Sequence, residues 1–149
     1  MVRKNVIGMV IELETSRGIA YGICTHENEE YGFLLHFYSI GTQLSQIKDV
    51  APQFCCFFPL RAALRRKIVK KNDIIEVPSQ LKDFPVFRSG LPDLITKKVK
   101  NWWFWDGEKS WRVGEINDRQ RKMPFKSIWN DTMVIERLEE GWTARDHPL

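Results

Sequence analysis

Cysteine is scarce in this 149-residue chain, and its three copies, Cys24, Cys55 and Cys56, are odd in number with two adjacent. That pattern gives neither a disulfide framework nor a zinc-ligand spacing. Small buried hydrophobes are the ordinary reading of such residues. Histidine is equally sparse. His26 falls in a charged loop and His147 in the tail, while His36 sits in an apolar strand, where a hydrogen-bonded core histidine is the usual occupant. No bound metal and no cofactor are expected. No apolar run approaches the length of a membrane span, so no membrane partner is expected. The opening Met1-Val2-Arg3-Lys4-Asn5-Val6-Ile7-Gly8 is too short in its apolar part for a secretory signal, which makes the cytoplasm the expected location.

Catalytic signatures are missing as well. The chain has no glycine-rich phosphate loop, no nucleophile elbow and no His-Glu helical zinc motif. The pairs Glu12/Glu14 and Glu29/Glu30 could stand as acid and base, but neither has the apolar surroundings that raise a carboxyl pKa for such work. Solvated faces explain them better. An enzyme is not expected, nor a small-molecule substrate.

What is present suits one domain spanning residues 1–149, large enough to bury a core without covalent staples. The net charge of +4 is unevenly spread. Residues 1–60 carry four basic and six acidic side chains, 61–126 carry seventeen and eight, and 127–149 carry two and five.

Asn101 to Val113 holds four of the six tryptophans. Aromatics favour strands and Asp106-Gly107 supplies a tight turn, so the stretch reads as a β-hairpin. Side chains alternate along a strand and cross-strand partners share a face. Any even loop therefore groups Trp102, Phe104, Trp111 and Val113 on one face, the natural core face. Trp103 and Trp105 share the other with Ser110 and Arg112. Here the pattern predicts buried Trp102 and Trp111, partial cover of Trp103 by the 131–140 segment, and an exposed Trp105 as partner contact beside Arg112. Trp103 and Tyr21 complete the candidate partner-binding set, as aromatics able to form a cage or stacking platform. Core filling is the commoner use of such residues.

Elsewhere, residues 7–14 alternate with Ile7, Met9, Ile11 and Leu13 on one face. Ser16-Arg17-Gly18 turns the chain into a second strand, where Gly22 points to a bulge or close backbone approach. Tyr31 to Ile40 is apolar on both faces and reads as a central strand, completing a three-strand antiparallel meander. Phe54–Phe58 is a further strand, 60–66 a short helix, and Ile74 to Val77 a strand before Pro78. Three prolines and Gly90 give 78–92 an irregular, extended path. The hairpin strands are expected over 97–105 and 110–116. Asp131 is placed to cap a final segment closed by Gly141, helical by preference although Met133-Val134-Ile135 also suits a strand. The fold expected is mainly β: an antiparallel bent sheet or small SH3-like barrel with an added Trp-rich hairpin and one to three short helices.

Arg61 to Lys71 carries six positive charges and no acid. Clustered Lys and Arg attract phosphates through counterion release, but a solvated helix face with a basic C-terminal end explains the cluster more simply.

Ile7-Gly8-Met9-Val10-Ile11-Glu12-Leu13 followed by Gly18-Ile19-Ala20-Tyr21-Gly22-Ile23 resembles the start of the bacterial immunity protein 26 family. Phe84-Pro85-Val86-Phe87-Arg88, the Trp102 to Val113 hairpin and Ile135-Glu136-Arg137-Leu138-Glu139-Glu140-Gly141-Trp142 are similar in turn, so the likeness runs from about residue 6 to residue 142. The resemblance implies a predominantly β, cytosolic protein that binds the cognate toxin of a polymorphic toxin system stoichiometrically and blocks it. It implies no enzymatic activity. The alternative is a small β-barrel that binds nucleic acid through the basic clusters 61–71 and 97–100.

Overall fold

The structure, a computed structural model, describes residues 6–149. Over these described residues the fold is mainly β, with two antiparallel sheets and two α-helices. The chain packs as two compact units. One comprises the residues through Asp83 together with Ile128–Trp142, the other Phe84–Ser127 together with Thr143–Leu149.

The first unit is built on the expected meander. Strands β1 (Met9–Thr15), β2 (Gly18–Asn28), β3 (Gly32–Phe37) and β4 (Phe54–Phe58) run antiparallel in sequence order, and β5 (Val69–Ile74) adds to the far side of β1. The sheet has two ends and does not close, so the bent-sheet form describes it and the barrel does not. Met9, Ile11 and Leu13 are buried on one face of β1, as the alternation requires. Val10, on the opposite face, joins Ile23, Tyr38, Ile47 and Leu81 in a second cluster, with Tyr21 packed against it. Gly22 answers to close approach. A Cβ there would stand 2.9 Å from the Phe37 ring.

Helix α1 (Leu60–Arg65) buries Leu60 and Ala63. It stops short of the basic run's end: Lys67 turns to φ 60°, and Val69 enters β5. The strand expected at 74–77 therefore lies earlier, over 69–74. Pairing of Leu13 with Val69 and Glu12 with Lys70 sets that position, a tertiary choice that local propensity does not encode. Lys70 and Lys71 are exposed on this edge strand, so Arg61 to Lys71 is divided between a helix and a strand and forms no single helix face.

The final segment is helical, α2 (Asp131–Glu140), and buries Val134 and Leu138. Its cap is Asn130 in place of Asp131: the Asn130 side-chain oxygen accepts from the Met133 N–H at 2.9 Å. Gly141 ends it at φ 68°, the left-handed conformation that favours glycine. Trp129 and Trp142 flank this helix in sequence and meet edge-to-face at 5.1 Å, each also against Phe54. The Trp129 N–H donates to the Phe57 carbonyl, covering part of the β4 edge.

The second unit contains the Trp-rich hairpin, β7 (Trp102–Trp105) and β8 (Ser110–Gly114), with a third strand, β6 (Phe87–Ser89), on the other side of β7. That strand comes from the stretch for which the sequence indicated only an irregular path. Both hairpin strands are shorter than expected. The loop is even, with Asp106 to Lys109 between Trp105 and Ser110, and the Asp106 carboxylate accepts the N–H groups of Glu108 and Lys109. Phe104 pairs with Trp111 and Trp103 with Arg112, as one of the expected registers requires, until a bulge moves Trp102 opposite Gly114.

Arg88 organises this unit. Its side chain is fully buried, with the guanidinium 4.7 Å from the Trp102 ring centre and 5.4 Å from that of Phe125. Nε donates to the Met123 carbonyl, Nη2 to those of Arg121 and Ala144, and Nη1 to the main-chain oxygen of Leu149. Burial, with the nearby Arg121 charge, lowers its pKa to about 10. The strand, the 121–125 turn and the 143–149 tail are thus tied to one cation.

Candidate partner-binding surface

Of the four residues read as a partner site, three lie in the second unit and one in the first. Tyr21 is half-buried on the Val10–Ile23 cluster. Trp103 is 44% exposed, and Arg112, opposite it on β8, is exposed and donates to the Asn101 side-chain oxygen at 2.7 Å. Trp105 does not occupy the expected place. It is 7% exposed, with Phe84 and Phe87 ring centres at 5.5 and 5.6 Å and the Lys126 ammonium 4.6 Å from its own. The 131–140 segment, expected to cover part of Trp103, is helix α2 and belongs to the first unit. The difference between Trp103 and Trp105 follows from β6, where Phe87 stands opposite Trp105 but the small Ser89 stands opposite Trp103.

The core face needs the converse correction. Trp102 is buried, but Trp111 is 39% exposed. It lies on β8, the edge strand, and meets Phe104 edge-to-face at 6.2 Å. The two buried tryptophans of this sheet, Trp102 and Trp105, both lie on β7, the strand flanked on both sides.

Between β6 and β7 the chain forms a loop that periodicity arguments passed over. Leu91, Leu94 and Ile95 are 91%, 88% and 91% exposed. These side chains stand on an ordered turn. One Asp93 carboxylate oxygen accepts the N–H groups of Ile95 and Thr96 at 2.8 and 3.0 Å, Asp93 N–H donates to the Lys98 carbonyl, and Lys97 N–H donates back to that of Asp93. The Thr96 and Ile95 amides hold the Asp93 carboxyl below its usual pKa. Pro92-Asp93 is a turn signature that could have located this loop, and the three aliphatics beside it have no periodic partner to bury them. Exposed Lys97, Lys98 and Lys100 follow directly. Beneath the loop opens a cleft of about 540 Å³ lined by Ser89, Gly90, Leu91, Asp93, Lys100, Asn101 and Trp103.

Elsewhere, burial shifts the titration of the three cysteines and of His36. Burial raises the Cys24 and Cys55 thiols to about 12 and drives Cys56 well above its usual value, leaving them protonated at neutral pH. His36 is buried on β3 with Nε2 unbonded, and burial, with the nearby His26, lowers its pKa to about 4. Among the described residues no three side chains of His, Cys, Asp or Glu gather as a metal-ligand set, and no helix is long and apolar enough to cross a membrane.

No family model, curated protein or solved structure matches the chain.

Proposed function

We propose that this chain is an immunity protein of a bacterial polymorphic toxin system, acting in the cytoplasm by stoichiometric binding of its cognate toxin. The observation that carries the binding part of this reading is the hydrogen-bonded 91–95 loop, which holds three large aliphatic side chains in solvent, Leu91 sharing a cleft with the half-exposed Trp103. Contiguous exposed apolar surface is a cost to a protein without a partner and an anchor to one that has a partner. The toxin assignment comes from the resemblance of residues 6–142 to the immunity protein 26 family. The test is co-expression with the toxin domain encoded beside this chain's gene. Growth should be restored and a one-to-one complex should co-purify. Undiminished killing, or rescue by trace amounts of the chain, would refute the proposal.

Nucleic-acid binding is the second reading, and Lys100, which lines one cleft with the exposed Trp103, favours it together with exposed Lys97 and Lys98 in the same loop, since cations and an exposed ring are what single strands bind. Its signature is an affinity for an oligonucleotide that falls steeply as salt rises.

A further inference from the structure

We infer that the 91–100 loop is the element that enters the toxin, and that the toxin surface it meets is acidic and contains an apolar pocket. This rests on the immunity reading and adds the chemistry of the partner.

Shape gives the first half of the argument. Leu91, Leu94 and Ile95 stand almost wholly in solvent on one short loop, an apolar knob whose Leu91 also lines the cleft bounded by Ser89, Asn101 and Trp103. A knob next to a hollow matches a protein surface, which can offer both a pocket and a protrusion. A fluid lipid surface accepts the knob but has nothing shaped to fill the hollow. The Asp93 turn fixes the knob before binding, so little backbone entropy remains to be lost on association.

Charge gives the second half. The second unit carries eleven basic and six acidic side chains, a net +5. Around the knob the balance is sharper. Lys97, Lys98 and Lys100 are exposed, whereas the only nearby acid within the loop, Asp93, is committed to its own amides. Glu115 shares a second cavity with Lys98 and Lys100, but Arg121 lines the same cavity and offsets it. Such a collar repels a basic nucleic-acid-binding groove and attracts carboxylates. A toxin that cleaves nucleic acid would therefore be met by this loop away from its basic groove.

The experiment measures binding of the neighbouring toxin domain to the wild-type chain and two loop variants, Leu91→Ser/Leu94→Ser/Ile95→Ser and Lys97→Glu/Lys98→Glu/Lys100→Glu. All six positions are exposed, so both variants should keep the wild-type melting temperature. The serine variant is expected to bind about a hundredfold or more weaker, as loss of a central apolar anchor does. The glutamate variant should lose affinity mainly through slower association, a deficit that shrinks at high salt. If the wild type binds the toxin and both variants bind equally well, the loop assignment fails while the immunity reading stands. Tighter binding by the glutamate variant would overturn the acidic-partner inference alone. If the wild type does not bind the toxin, the immunity reading falls and this inference with it. Vesicles of phosphatidylcholine with phosphatidylglycerol form a separate arm: binding there that the serine variant loses, without toxin binding, would assign the loop to a lipid surface instead.

Discussion

Replacing Arg88 with methionine keeps the apolar length of the side chain and removes its charge. Four main-chain oxygens, those of Met123, Arg121, Ala144 and Leu149, would lose a donor at 2.9–3.4 Å. A buried group left unpaired costs about 1–3 kcal/mol, and a hydrogen bond to a charged group contributes about 1.5–3 kcal/mol. Contact with the Trp102 face adds roughly 1–2 kcal/mol for a desolvated cation. These terms overlap, because desolvation of the guanidinium is recovered on mutation and water reaches some of the freed oxygens. A net loss of about 3–5 kcal/mol is the expected result, in line with breaking other buried charge networks. That is a large part of the roughly 5–15 kcal/mol typical of a folded protein. Urea unfolding followed by tryptophan fluorescence would report it, since Trp102 packs directly on Arg88. Arg88→Lys should fall between, because a compact ammonium cannot span oxygens that the guanidinium reaches from three nitrogens. A methionine variant within about 1 kcal/mol of wild type would show that burial of the cation costs as much as its bonds return, and the anchoring role would be lost.

Three further outcomes follow from the packing. Trp105→Ala should cost roughly 3–5 kcal/mol as a core truncation, whereas Trp103→Ala should leave urea stability nearly unchanged; equal effects would contradict the asymmetry set by Phe87 and Ser89. Gly22→Ala should destabilise by about 1–3 kcal/mol through overpacking against Phe37, and a neutral thermal melt would mean that the ring moves aside freely. For His36 the folded pKa of about 4 lies below the ordinary 6.5, so the unfolded chain binds the extra proton between those values. Stability is then full above pH 6.5 and declines as pH falls toward 4, by up to roughly 3 kcal/mol in all; urea titrations of His36→Phe should show a flatter profile over that window.

The meander was legible because β1 alternates cleanly and its turns carry glycine, so local chemistry and tertiary pairing agree. The position of β5 was not, because its exposed residues Lys70 to Ile74 hold no apolar pattern and owe their strand form to β1. The hairpin's register came from parity alone, but its exposure did not. Which tryptophan is covered depends on a third strand of three residues, too short to register against the prolines around it. The 91–95 loop, marked in the sequence only by the Pro92-Asp93 turn signature, escaped the periodic reading for a related reason. Periodicity finds residues that share a buried face, and these three share none.

The order in which the units use the chain has a consequence for biosynthesis. The first unit is interrupted at Asp83 and resumes only at Ile128, and the second is interrupted in turn and completed by Thr143–Leu149. Chains usually fold from the N-terminal side as they leave the ribosome. Here the Phe54 ring waits for Trp129 and Trp142, and the Arg88 guanidinium waits for Ala144 and Leu149. Neither unit can reach its final packing until the chain has been made through Trp142, and a stop before that residue would release no finished half.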